Sequence, residues 1–191
     1  MRRSSWISLI LTLLMLAGCS NISVVTDYDS SVPFASYKTY RWADDMTAKK
    51  SSSVLANNPL ILKRIKNTID REFAAKGYVM NSNGPVDFTV SVSAGVRDKV
   101  YYNPPPMGFY YSRGYYHGRY GFYYPYWWGP YATRYEEGTL VIDVIDQRKN
   151  ELAWRGIARG ILKNYRDGDD LQKDIDEAVS KTLEEFPPLK K

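Results

Sequence analysis

Cys19 and His117 are the sole cysteine and the sole histidine of this 191-residue chain. One thiol cannot close a disulfide within the chain or build a cysteine-based zinc site, so the fold must be stable by packing alone. His117 stands in Tyr115-Tyr116-His117-Gly118, with no second imidazole or thiolate and no acid nearby in sequence. Zinc is not expected there; a neutral ring that hydrogen-bonds or stacks is. A Ser-His-Asp triad would have to place His117 in a Gly/Pro-rich stretch, contrary to the rigid geometry that catalysis needs. The carboxylate pairs Asp27 with Asp29 and Glu136 with Glu137 could do acid–base work only if folded opposite one another. No Gly-x-Ser-x-Gly elbow, Walker loop or His-Glu-x-x-His run occurs. The expectation is no catalysis, no cofactor and no metal.

Cys19 has a different chemistry open to it. It closes the run Leu16-Ala17-Gly18-Cys19, preceded by a basic Arg2-Arg3 start and an apolar stretch from Trp6 to Leu16. That is the form of a secretion signal, and the stretch is shorter than the about 20 residues of a spanning helix. Ordinary cleavage prefers small residues at the first and third positions before the cut, yet Leu16 holds the third. Leu-Ala-Gly-Cys is instead similar to the lipobox of bacterial lipoproteins, whose cysteine sulfur takes a diacylglyceryl group. About two acyl chains suffice for stable anchoring, so membrane lipid, reached through acylated Cys19, is the expected partner. Ser20 is not the aspartate that retains such proteins in the inner membrane. The expected location is therefore the periplasmic face of the outer membrane. An enzyme alternative would be an envelope hydrolase using His117 or an unrecognised carboxylate.

The organisation follows. Residues 1–18 are read as signal peptide, 19–21 as lipidated N-terminus and tether, 22–188 as one domain, and 189–191 as tail. The formal charge of +5 includes Arg2 and Arg3, and what remains is too small an excess to argue for nucleic acid.

Ile22–Tyr28 is β-branched and aromatic enough for a strand, which leaves a tether with a reach of about 10 Å. Phe34–Trp42 reads as the next strand, with Phe34, Tyr40 and Trp42 on one face and Tyr37 on the other. Residues 44–57 read as a solvated loop. Asn58-Pro59 opens a helix whose Leu62, Ile65, Ile69 and Phe73 form one apolar face, and Gly77 ends it. Val86–Ala94 alternates cleanly, Thr139–Ile145 is more continuously apolar, and a turn at Asp146–Asn150 leads into Leu152–Leu162. Leu152, Trp154 and Ala158 there share a parity. A second helix starts at Asp169 or Asp170, carries Leu171, Ile175, Val179, Leu183 and Phe186, and stops at Pro187-Pro188. This order predicts an α+β two-layer sandwich, a mainly antiparallel sheet with two helices on one face. A mixed sheet with one parallel pair across the first helix is the alternative.

Residues 100–135 stand apart, with 12 of the 17 tyrosines, five glycines, five prolines, three arginines and no Asp or Glu. One reading is a loop without a task of its own. The other is a contact surface, because Tyr and Trp join apolar rings to polar tips and gather at membrane interfaces and binding sites. Tyr115, Tyr116, Arg119, Tyr123, Tyr124, Trp127 and Trp128 are the candidate contacts. Membrane headgroups, envelope glycan or an envelope protein are the partner classes.

Several motifs in fixed order resemble one family. They are Asp27-Tyr28-Asp29, Tyr37-Lys38-Thr39-Tyr40 with Trp42, Asn58-Pro59-Leu60 with Arg64-Ile65, Lys76-Gly77-Tyr78 and Asp87-Phe88. Glu137-Gly138-Thr139-Leu140-Val141-Ile142-Asp143, Trp154-Arg155-Gly156 and Phe186-Pro187-Pro188 follow. Together they resemble the bacterial lipoproteins of domain of unknown function 4136. The resemblance implies an envelope lipoprotein domain without an established activity, and it does not extend to the Tyr-rich insert.

Overall fold

The computed structural model describes residues 22–43, 53–103, 131–163, 165 and 167–188. Its strands are β1 (Ser23–Tyr28), β2 (Thr39–Trp42), β3 (Val79–Met80), β4 (Phe88–Asn103), β5 (Tyr131–Asp146) and β6 (Glu151–Ile161). Its helices are α1 (Ser53–Ala56), α2 (Pro59–Ala75) and α3 (Gly168–Glu184). The strands form one open sheet in the order β1-β6-β5-β4-β2-β3. The pairs β1–β6, β6–β5 and β5–β4 are antiparallel, while β2 runs parallel to both β4 and β3. The fold is α+β as expected, and the sheet is the mixed one. A parallel return from β2 to β3 needs a crossover, and α1 and α2 supply it.

One face of the sheet is buried beneath the helices. Tyr40, Phe88, Val90, Val92, Ile142, Val144 and Trp154 form one core with Leu62, Ile65, Ile69, Phe73, Ile175, Val179 and Leu183. Both helical stripes fall where the spacing put them. Phe186, just past α3, is fully buried against Phe34, Phe73, Tyr78, Phe88 and Trp154. Gly77 has φ +86°, the left-handed conformation expected where the helix ends. Asp167 caps α3 by accepting from the Asp169 and Asp170 backbone N–H groups. The Asn58 side chain does not cap α2; it donates to the Val54 carbonyl one turn back.

Four expectations are corrected. The strand over Phe34–Trp42 begins only at Thr39, because Phe34–Ser36 is a 3-10 turn. Phe34 and Tyr37 are both buried; three residues apart they would face opposite ways in a strand, but they share a side in a three-residue turn. The loop at 44–57 ends in α1, whose Leu55 is only 1% exposed; residues 44–52 lie outside the described residues. Leu152 does not share a face with Trp154. Val144 pairs with Trp154 and Ile145 with Leu152, so Ala153 is an extra residue that inverts the alternation. Finally, the ends of the aromatic insert are strand: Val100 pairs with Arg134 and Asn103 with Tyr131.

Candidate functional site

The two ends of the sheet differ in chemistry. At one end, where β5 turns into β6, polar side chains hold one another. Asp146 accepts 2.6 Å from the Tyr37 hydroxyl and also accepts from the backbone N–H groups of Arg148 and Lys149. Burial pushes this carboxyl up, but those hydrogen bonds and the Arg148 charge outweigh it, and its pKa lies below the usual value. Burial, then the bond to Asp146, raises the Tyr37 hydroxyl. Asp87 works similarly: burial raises it, while the Lys38 and Thr39 N–H groups and the Thr39 hydroxyl bring it below the usual value. Asp70 on α2 accepts from the Tyr40 hydroxyl at 2.7 Å and the Trp42 indole at 2.9 Å, which ties β2 to the helix. These acids are fasteners.

At the other end the helical layer stops short of the sheet. Here the residues facing the helices become small: Ala94, Leu140 and Ala158 form one cross-strand row, and Val96, Gly138 and Gly160 the next. Opposite them stand Leu55, Ile61, Ile65, Leu171 and Ile175. The space between is an open, mostly apolar cleft of about 500 Å³, within the size range of small-molecule sites. Lys163 and Asp174, both on its lining, are paired with each other at 3.0 Å. Ile22, the first described residue, also lines it.

The N-terminus and the ribbon leave from this same end. Ser23 pairs with Arg159, and Ile161 pairs with Glu137, which pairs in turn with Arg97. Beyond that row β4 and β5 continue as a two-stranded ladder for six pairs, from Asp98–Glu136, where Leu162 still donates to the Glu136 carbonyl, to Asn103–Tyr131. At about 3.4 Å per residue they form a ribbon roughly 20 Å long. Val100, Tyr101 and Tyr102 on it are exposed.

Not every residue singled out in the sequence is within view. Cys19, His117, Tyr115, Tyr116, Arg119, Tyr123, Tyr124, Trp127 and Trp128 lie outside the described residues. The acid pairs do not converge. Glu136 and Glu137 are neighbours on a strand and so face opposite ways, and Glu137 pairs with Lys99 at 3.5 Å. Asp27 accepts from the Tyr28 N–H and Asp29 from the Ser31 N–H. Among the described residues no three His, Cys, Asp or Glu gather to hold a metal ion, and no helix is long and apolar enough to cross a membrane. The cleft was not anticipated. Its lining comes from six elements and the segments beside them, and each apolar residue alone reads as ordinary core.

The framework motifs have structural roles. Trp154 is fully buried, and Arg155 bonds Asp143 across the open face. Gly156 lies where α3 crosses β6, and any Cβ there would collide with the side chains of Thr182 and Trp154. The family described as domain of unknown function (DUF4136) matches the chain over residues 24–188. The chain belongs to that family. No protein with a curated description matches this DUF4136 member. Among solved structures it is similar to a DUF4136 family protein from Bacteroides thetaiotaomicron, with 15% identity and TM-score 0.48, covering 88% of this chain and 97% of that one. A PDZ domain protein from Parabacteroides distasonis has 16% identity and TM-score 0.48. That likeness covers 90% of this chain but 38% of the other. A minor lipoprotein from Acinetobacter baumannii has 8% identity and TM-score 0.41, covering 78% and 92%.

Proposed function

We propose that this DUF4136 protein is a non-catalytic lipoprotein module of the bacterial envelope. It is anchored through acylated Cys19 on the periplasmic face of the outer membrane and rests against that membrane by its ribbon end. The observation that carries this reading is the pairing of Ser23 with Arg159. It places the start of the fold, three residues after Cys19 in Ile22, at the end from which the β4–β5 ribbon projects. An anchor with a reach of about 10 Å then holds that end toward the lipid. The ribbon carries the segment with Tyr115, Tyr116, Arg119, Tyr123, Tyr124, Trp127 and Trp128, which has rings for the interface and arginine for anionic headgroups.

The test has two arms. Wild-type protein should fractionate with outer membranes and label with palmitate, and Cys19→Ser should lose the label. The unlipidated chain should co-sediment with anionic liposomes and release at high salt. Sedimentation with purified peptidoglycan and not with liposomes would overturn membrane contact in favour of glycan.

A further inference from the structure

We propose that the cleft at the ribbon end holds one acyl chain of the protein's own lipidated Cys19. The inference rests on the anchor reading above and adds an occupant for the cleft.

The lining is that of a site for a neutral, flexible, apolar ligand. Ala94, Val96, Leu140 and Ala158 form its floor, with Ile65 and Ile175 facing them. It is open to solvent at the edge of the core, where the rows of the sheet turn from large side chains to Ala and Gly. Of the four charged residues on its lining, Lys163 pairs with Asp174 and Glu177 with Lys181, while Arg159, between Ala158 and Gly160 on β6, falls on the opposite face of the sheet. A thioether-linked glyceride brings no charge that would need a counterpart there.

Position selects the source of the chain. Ile22 lines the cleft, and Cys19 is three residues away along the polypeptide. The sulfur therefore stays within about 10 Å of the Ile22 position. A ligand tethered this closely acts at an effective concentration of millimolar order, whereas a free lipid must first leave its bilayer. The segment that precedes α1 is a poor competitor, since Asp44, Asp45, Lys49, Lys50, Ser51 and Ser52 make it polar. With one chain in the cleft and the others in the bilayer, the ribbon end would be held flat against the lipid.

Cells fed a diazirine-bearing palmitate will load the probe onto lipoproteins and phospholipids alike. After irradiation, wild-type protein should carry intramolecular adducts on Leu140, Ile65 or Ile175, mapped by mass spectrometry. Ala94→Trp, which fills the floor, and Val96→Asp, which charges an exposed edge, should retain the lipid label but lose the cleft adducts. Circular dichroism checks that both variants fold. A labelled wild-type protein whose adducts avoid the cleft would overturn the inference while leaving the anchor intact. An unlabelled wild-type protein would overturn the anchor itself. Cleft adducts that persist in Cys19→Ser would identify a membrane lipid as the occupant and overturn the assignment to Cys19.

Discussion

Arg155 grips Asp143, its direct cross-strand partner, through two parallel hydrogen bonds, Nε to Oδ1 at 2.6 Å and Nη2 to Oδ2 at 2.8 Å. The hydrogen bond, opposed by some burial and aided by the Asp143 charge, raises the guanidinium pKa. The pair lies on the open face, with Arg155 44% exposed, so water and salt screen it. Arg155→Ala and Asp143→Ala should each cost about 1 kcal/mol or less. A double-mutant cycle in urea should show coupling that fades with added salt. Arg155→Lys should recover little of it, because an ammonium cannot make the fork. Coupling of several kcal/mol would mean that the face is covered by something in solution.

Gly156 should be among the least tolerant positions. A Cβ there meets the Thr182 methyl and the Trp154 ring at once, both in fully buried side chains. Gly156→Ala is expected to cost roughly 1–3 kcal/mol through overpacking. Thr182→Ser, which removes the colliding methyl but keeps the hydroxyl bonded to the Ala178 carbonyl, should restore part of the loss. Thermal melts of the two single variants and the double variant measure the rescue. An additive double variant would show that the helix simply moves away.

Acid should loosen the end of the sheet opposite the ribbon. The Asp87 and Asp146 carboxyls lie below their usual pKa when folded. The unfolded chain therefore binds more protons in the window just below the ordinary value of 3.8. Their stabilisation is complete above that value and is lost as pH falls through the folded pKa. The melting temperature should drop below about pH 4, and Asp146→Asn should flatten the drop while lowering stability at neutral pH. Tyr37 has the opposite sign: its folded pKa is raised, so its contribution is present at neutral pH and is lost as pH rises above 10. Tyr37→Phe should remove part of that alkaline loss.

Periodicity made the two helices and the inner halves of the strands legible, because Leu62 to Phe73, Leu171 to Leu183 and Phe88 to Val92 each repeat with one clear period. It failed where a single residue changes the phase. Ala153 inserts into β6 and turns Leu152 outward, and a three-residue turn lets Phe34 and Tyr37 share the core. Neither has a local signature. Asp70, next to the core residue Ile69 on α2, meets Tyr40 and Trp42, whose distance along the chain hides the contact. The candidate site divides in the same way. Cys19 and the aromatic segment announce themselves by residue type. The cleft does not, since it arises from where the helices end relative to rows of Ala and Gly.

The ribbon should be removable without loss of the fold. The buried core extends along β4 no farther than Val92 and along β5 no farther than Ile142, with Ala94 and Leu140 partly buried against it. From Lys99–Tyr135 outward the two strands pair only with each other. Joining β4 to β5 at Lys99–Tyr135 or Asp98–Glu136 with Asn-Gly would give a two-residue hairpin of the favoured hand. Two truncated variants are needed because hydrogen-bonded and non-hydrogen-bonded pairs alternate along the ladder. Keeping Glu136 also preserves the carbonyl that accepts from the Leu162 N–H. The better of the two should melt within a few degrees of the parent in the unlipidated chain. In the same protein, co-sedimentation with anionic liposomes should vanish. A truncated chain that still folds and still binds would move the contact surface off the ribbon. Unfolding of both variants would mean that the ribbon beyond Lys99–Tyr135 stabilises the fold through contacts other than its own pairing.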